Sequence, residues 1–202
     1  MASTNSEGPT TYGARVQGID LSPSFVDAAR FLAQKTGLAD LVGYDCANAL
    51  ALPFDDEAFD IAWTQHVAMN IENRAALYAE AFRVLRPGGR FAMFDVIAAS
   101  GEPLHYPVPW ARDSGTSFLK TSDEMRALLE KQGFRVESWI DCTAEGIAWF
   151  AEREKERASI STMPALGLHL VMGPDFPAMG RNLTRNLREG RAALLQAIVT
   201  RP

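Results

Sequence analysis

Residues 15–20, Arg15-Val16-Gln17-Gly18-Ile19-Asp20, read as a short strand that closes on an acid, and two residues later Ser22-Pro23 opens a helix. Ser22 supplies an N-cap and Pro23 suits the first helical position. Phe25, Ala28, Ala29 and Leu32 fall on one face as a predicted buried stripe, and Gly37 ends the helix. A second strand follows over 41–44. Strand, helix and strand in this order constrain the chain to an α/β arrangement in which the first strand delivers its acid to the carboxyl edge of the sheet. There the two oxygens of Asp20 can accept both hydroxyls of a ribose, although a helix-capping role competes with that reading.

The pattern continues in the same register. Residues 60–64 read as a strand, and 74–85 as a helix with Tyr78, Ala81, Phe82 and Leu85 on one face. Pro87-Gly88-Gly89 stops that helix, and 90–97 is dense enough in Phe, Met, Val and Ile to be a strand covered on both faces. Residues 101–119 carry prolines with His105, Tyr106 and Trp110, an aromatic loop of the kind that walls a binding site. Thr121 and Glu124 form a capping box for a helix that buries Met125, Leu128 and Leu129 and ends at Gly133. A strand over 134–142, a charged helix over 144–159, a linking segment with Met163, Met172 and Met179, a helix over 181–189 and a last strand over 193–200 complete the reading. The fold class is α/β: a Rossmann-like, mainly parallel sheet flanked by helices with its last strand antiparallel. Residues 1–11, polar and without apolar periodicity, form a disordered tail. Residues 12–202 form a single domain in which 144–190 is a helical insertion or cap.

Charge and composition narrow the function. A net charge of −5 with no basic stripe argues against a nucleic-acid partner, and 47% hydrophobic residues over 202 positions allow a substantial core. No apolar run of about 18 residues is present to span a membrane. Two cysteines, Cys46 and Cys142, cannot build a disulfide framework, and the N-terminal residues lack the apolar core of a secretion signal; a cytoplasmic protein acting on a small molecule is expected. His66, His105 and His169 show no metal-ligand spacing.

Gly18-Ile19-Asp20-Leu21-Ser22, Asn48-Ala49-Leu50-Ala51-Leu52-Pro53-Phe54 with Phe59-Asp60 after it, and Val84-Leu85-Arg86-Pro87-Gly88-Gly89 together resemble successive motifs of the class I S-adenosylmethionine-dependent methyltransferases, over about residues 14–142. The segment after them resembles the cap of small-molecule members. The resemblance implies methyl transfer from S-adenosyl-L-methionine to a small-molecule amine, hydroxyl or carbon nucleophile. It makes Asp20 the acceptor for the ribose hydroxyls, Leu21 an apolar wall for the adenine, Asn48 the partner of the adenine amino group, and the Ala49 N–H a donor to a ring nitrogen. Asn48 stands where the family usually has an aspartate. Gln65 falls beside the methionine part, and His66 and Tyr106 are candidate bases at the transferring methyl. His105 and Trp110 are candidate substrate contacts. Each of His66, Tyr106 and Trp110 has a competing structural reading as a satisfied core or loop residue.

One departure is large. Family members begin with a strand and a glycine-rich turn that approaches the methionine moiety, whereas here the polar segment runs almost directly into Tyr12-Gly13-Ala14-Arg15. The absent strand belongs in the centre of the sheet, between the strand ending at Asp20 and that over 60–64. Leaving two inner edges open costs roughly 1 to 3 kcal/mol for each buried unpaired backbone group. The chain must close the gap, borrow a strand from a partner, as in a homo-oligomer built by strand exchange, or be an incomplete version of a longer enzyme. A non-catalytic remnant that acts as a binding or interaction protein is the rival reading. A nicotinamide-dependent dehydrogenase ranks below both, because it needs the same glycine-rich turn and explains neither Asn48-Ala49 nor Pro87-Gly88-Gly89.

Overall fold

The computed structural model describes residues 12–99, 101–159 and 167–202, so the expectations for residues 1–11 and for Met163 lie outside the described residues. The chain divides into two compact units, one ending at Asp55 and one spanning Asp56–Pro202.

In the first unit, β1 (Val16–Asp20), α1 (Pro23–Lys35) and β2 (Val42–Cys46) form a strand-helix-strand element with parallel strands in register from Val16 opposite Val42 to Asp20 opposite Cys46. The Ser22 hydroxyl accepts the Phe25 N–H at the helix start, as its position before Pro23 predicts. The predicted stripe is corrected. Val26 and Ala33 are the buried residues of α1, Ala29 is half-buried, and Phe25, Ala28 and Leu32 are exposed. The helix is rotated relative to its large apolar side chains because Arg30 reaches back to β2, donating from Nε and Nη2 to the Tyr44 carbonyl at 3.1 and 2.5 Å. That anchor turns the small residues toward the strands and leaves Phe25, Phe31 and Leu32 outside.

The second unit holds β3 (Phe59–Gln65), α2 (Arg74–Val84), β4 (Leu85–Ala98), α3 (Ser122–Gln132), β5 (Arg135–Asp141), α4 (Thr143–Ser159), α5 (His169–Met172), α6 (Phe176–Arg188) and β6 (Ala192–Thr200). Its sheet runs β3-β4-β6-β5, with β3 and β4 parallel and β6 antiparallel to both of its neighbours. Mainly parallel strands with flanking helices and an antiparallel last strand are the predicted class. Among the described residues, strands β1 and β2 form a two-stranded sheet of their own. Among the described residues no helix is long and apolar enough to cross a membrane.

Pro87-Gly88-Gly89 does more than stop α2. Leu85 already pairs with Phe59, and pairing resumes only at Arg90 opposite Ile61, so residues 86–89 loop out as a bulge inside β4. Gly88 sits at φ 78°, and a Cβ on Gly89 would lie 2.8 Å from the Arg86 carbonyl oxygen, so neither position accepts a side chain without strain. The bulge is tied to Arg201, whose carbonyl takes the Gly88 N–H and whose N–H donates to the Gly89 carbonyl. The Arg201 guanidinium then caps α2 from outside, donating to the Phe82, Arg83 and Leu85 carbonyls at 3.1, 3.2 and 2.5 Å and pairing with Glu57 at 2.7 Å. Three carbonyls at a helix end would otherwise need other donors. Arg201→Met should therefore lower stability by about 2 kcal/mol in denaturant unfolding, a loss that Arg201→Lys, with one compact donor group, only partly restores.

The core follows from β4. Phe91 is 1% exposed and lies between the rings of Tyr78 and Phe134, with centroids 6.1 and 6.0 Å away. The Thr121–Glu124 capping box is present at α3, Met125 and Leu129 are fully buried, and Gly133 ends the helix in the left-handed region at φ 105°.

Candidate functional site

In the first unit, parallel pairing carries Asp20 and Asn48 to the same edge. The Asp20 carbonyl accepts the Ala47 N–H at 3.0 Å, and the Cys46 thiol donates to the Leu21 carbonyl, so the turns after β1 and β2 are bonded to each other. Asp20 Oδ1 accepts the Ser22 N–H at 2.7 Å, which fixes the carboxylate at the start of the turn; its Oδ2 is engaged by no described residue. Asn48 Oδ1 accepts the Leu50 N–H at 2.9 Å, and its carbonyl accepts the Ala51 N–H. The Asn48 amide oxygen keeps one lone pair and its Nδ2 two donors. The Ala49 N–H has no partner among the described residues. Leu21 is 70% exposed beside them. A carboxylate oxygen, an amide, a free N–H and an apolar side chain on adjoining turns are the donors, acceptors and wall that an adenosine group requires, and these residues fit it.

The other candidates belong to the second unit. Gln65 ends β3, and His66 follows it at φ 53°, a left-handed conformation that is costly for a residue with a side chain. The His66 N–H donates to the Phe94 carbonyl at 2.9 Å, and its ring lies against the Phe94 ring with centroids 4.9 Å apart. The imidazole keeps an open side, yet apolar surroundings hold its pKa below the ordinary value, which favours the neutral, proton-accepting form near pH 7.

The aromatic loop is built as a fixed wall. His105 is pinned by both its main-chain groups to Asn186 of α6, with the N–H donating to Oδ1 at 2.8 Å and the carbonyl accepting from Nδ2 at 3.0 Å; Asn186 is fully buried. The His105 ring meets Glu189 at 2.7 Å. Arg185 first, then His105 and Arg191, hold the Glu189 carboxyl down at about 2. Trp110 donates from Nε1 to the Ser117 hydroxyl at 2.9 Å and packs against the cluster of Met69, Val96, Leu187, Ala192 and Leu194. Tyr106 lines a cavity of about 190 Å³ with Leu104, Leu119, Ser117, Glu102 and Arg191, which mixes apolar wall, hydroxyl and both charges. The structure thus gathers Asp20, Leu21, Asn48 and Ala49 in one place and Gln65 with His66 in another. Tyr106 borders the cavity, while His105 and Trp110 hold the loop in place.

Several residues that shape the second unit went unnoticed in the sequence. Asp95 is fully buried, as is Arg74 at 3% exposure, and Asn70 donates to the carbonyls of Trp110 and Thr116 at 2.8 and 2.9 Å. Asp95 alone left a trace, as an acid inside an otherwise apolar strand. Among the described residues no three His, Cys, Asp or Glu side chains cluster as metal ligands would.

The fold is that of class I methyltransferases. Residues 3–93 match the family model described as a methyltransferase domain. Among curated proteins, the chain is 38% identical over 85 residues to methyltransferase GfsG of Streptomyces halstedii, covering 42% of this chain and 31% of the relative. It is 32% identical over 135 residues to the 27-O-demethylrifamycin SV methyltransferase of Amycolatopsis mediterranei, covering 65% and 50%. Among solved structures, the phosphoethanolamine N-methyltransferase 2 of Haemonchus contortus in complex with S-adenosyl-L-methionine superposes with a TM-score of 0.78 at 17% identity, over 97% of this chain and 45% of that one. The chain spans about a third to a half of the length of these curated relatives. Its N-terminal half resembles methyltransferase domains, and its fold is theirs.

Proposed function

We propose that the chain binds S-adenosyl-L-methionine and directs its methyl group to a small-molecule acceptor in the cytoplasm. The observation that carries this reading is the bonded pair of turns bearing Asp20 and Asn48, with the Asp20 Oδ2 and the Ala49 N–H left open beside the exposed Leu21. The family match, and the relatives that are themselves methyltransferases of small molecules, support it. When bound, the cofactor supplies a methyl on a positively charged sulfur, whose bond to carbon breaks as the acceptor's nucleophile bonds to that carbon. Within the first unit, Asp20 takes the ribose hydroxyls and Asn48 and Ala49 the adenine edge. His66, held neutral, takes the proton that an acceptor hydroxyl or ammonium gives up, with the Tyr106 hydroxyl as the alternative base. Loop 101–119, with His105 and Trp110, forms the acceptor's wall and excludes water, so the protein contributes approach geometry more than covalent chemistry.

The division of the strands into two separate sheets favours one other reading, a non-catalytic member that keeps the fold and binds a partner. Calorimetric titration with S-adenosyl-L-methionine and S-adenosylhomocysteine separates the two. Micromolar binding, weakened roughly tenfold to a hundredfold in Asp20→Ala through the lost ribose hydrogen bonds, is the expected result. No heat at millimolar ligand, or equal affinity in the variant, overturns the methyltransferase reading for this chain.

A further inference from the structure

Beneath the turn that carries His66, the second unit buries two opposite charges, Asp95 and Arg74, that the proposed chemistry does not use. Asp95, on β4, is fully buried, and its Oδ1 accepts the Val67 N–H at 3.1 Å. Arg74, at the start of α2, is equally enclosed. Its Nη2 donates to the Ala68 carbonyl at 2.5 Å and to the Phe118 carbonyl at 3.4 Å, and its Nη1 reaches the Tyr78 hydroxyl at 3.5 Å. The two side chains therefore grip Val67 and Ala68 from opposite polarities, the acid holding the Val67 N–H and the cation the Ala68 carbonyl. The grip extends sideways to the aromatic loop. The Phe118 N–H donates to the Met69 carbonyl at 2.8 Å, and Asn70 donates to Trp110 and Thr116.

The turn is also held by main-chain bonds, from His66 to Phe94 and from Asn70 to Val67. His66 sits in a left-handed conformation, and the short 3-10 turn Ala68–Asn70 has no side-chain cap. The pair is also incompletely satisfied, since Asp95 Oδ2 and Arg74 Nε are buried without a hydrogen-bond partner. A charge so placed is only marginally stable, because burial disfavours it while the N–H groups and the guanidinium favour it. We propose that Asp95 and Arg74 form a latch that fixes the His66 turn and loop 101–119 in one arrangement, and that uptake of a proton by Asp95, with its carboxyl still enclosed, releases the turn from it. Burial, opposed by Arg74 and by the backbone of residues 66–68, raises the Asp95 pKa to about 6, so release falls within the range in which proteins work. Arg74 and Tyr78 from α2 and the His66 imidazole on the turn are the charged and titratable groups around it. Tyr78, whose pKa burial raises above the ordinary value, stays protonated throughout. Asp95 is a positioning residue in this scheme, and the latch operates whether or not the chain transfers methyl groups.

Backbone and carboxyl NMR on the whole chain between pH 5 and 7.5 tests it. The Asp95 carboxyl carbon and the Val67 and Ala68 amides should move together with one midpoint near 6. Exchange of the Val67 amide, corrected for intrinsic pH dependence, should be about tenfold faster at the acid end as the charge-assisted bond weakens. Asp95→Asn should abolish the amide transition, whereas His66→Gln should keep it. Amides that stay flat in the unmodified chain, a transition that survives Asp95→Asn, or one that vanishes in His66→Gln overturns the proposal. Should Asp95→Asn not fold, the unmodified chain decides alone, for a carboxyl midpoint near 4, the usual aspartate range, is incompatible with the latch.

Discussion

Phe91→Ala should cost about 3–5 kcal/mol of unfolding free energy, the largest loss expected of any single truncation in this chain. Phe91 stands at the middle of β4 with its ring against Tyr78 on one side and Phe134 on the other, and Phe134 in turn meets Phe82 at 5.0 Å. Removing the ring strips edge contacts from two aromatic neighbours and leaves a cavity between Tyr78 of α2 and Phe134, the residue just before β5. The sheet cannot close that cavity, because β4 is held on both sides, by β3 and by β6. Chemical unfolding at equilibrium measures it. A loss under about 1 kcal/mol would show that the rings repack and that this cluster does not organise the core.

Wild-type stability should fall relative to Asp95→Asn as pH rises from about 4 to 7, contrary to the usual behaviour of a carboxylate. Asp95 has a usual value of 3.8 when the chain is unfolded and about 6 when folded. A group whose folded pKa is raised stabilises the native state fully below its unfolded value, and that contribution is lost as pH rises through the folded value. The interval corresponds to about 3 kcal/mol, an order-of-magnitude figure for so enclosed a group. Glu189, with its carboxyl held near 2, works in the opposite direction and loses stability only as pH falls. Subtracting the variant's curve from the wild-type curve removes Glu189 and every other titration common to both. Parallel curves across pH 4–7 would show that Asp95 carries no such burden.

Much of this architecture was legible because it is written in local chemistry. Ser22-Pro23, Thr121 with Glu124, and Gly133 each satisfy or terminate a helix end within four residues, and the structure places a helix boundary at each. The placing of Asp20 and Asn48 at strand ends was legible for a similar reason, since each strand delivers its own last residues to the sheet edge. What failed depends on partners far along the chain. The stripe of α1 was misplaced because Arg30 answers to a carbonyl on β2, 14 residues away. Arg201 caps α2 across 116 to 119 residues, and Asn186 holds His105 across 81. No local spacing announces such pairs. Arg74 stayed hidden for the complementary reason: it looks like an ordinary surface charge until the sheet and α2 close over it. Pro87-Gly88-Gly89 was understood only as a stop, since a bulge exists only relative to the strand beside it.

The position of β6 has a consequence for how the molecule comes into being. β6 lies between β4 and β5, so β5 has no hydrogen-bonded neighbour until Ala192–Thr200 arrives, more than fifty residues after β5 itself is made. During synthesis, at about 5–20 residues per second, β4 and β5 wait for seconds with ladder edges open. The apolar residues that later become the centre of the sheet are then available to chaperones, or to one another on neighbouring nascent chains. Premature release before residue 192 would leave two unpaired edges in one polypeptide, and aggregation during translation, more than melting of the finished fold, is the hazard this topology carries.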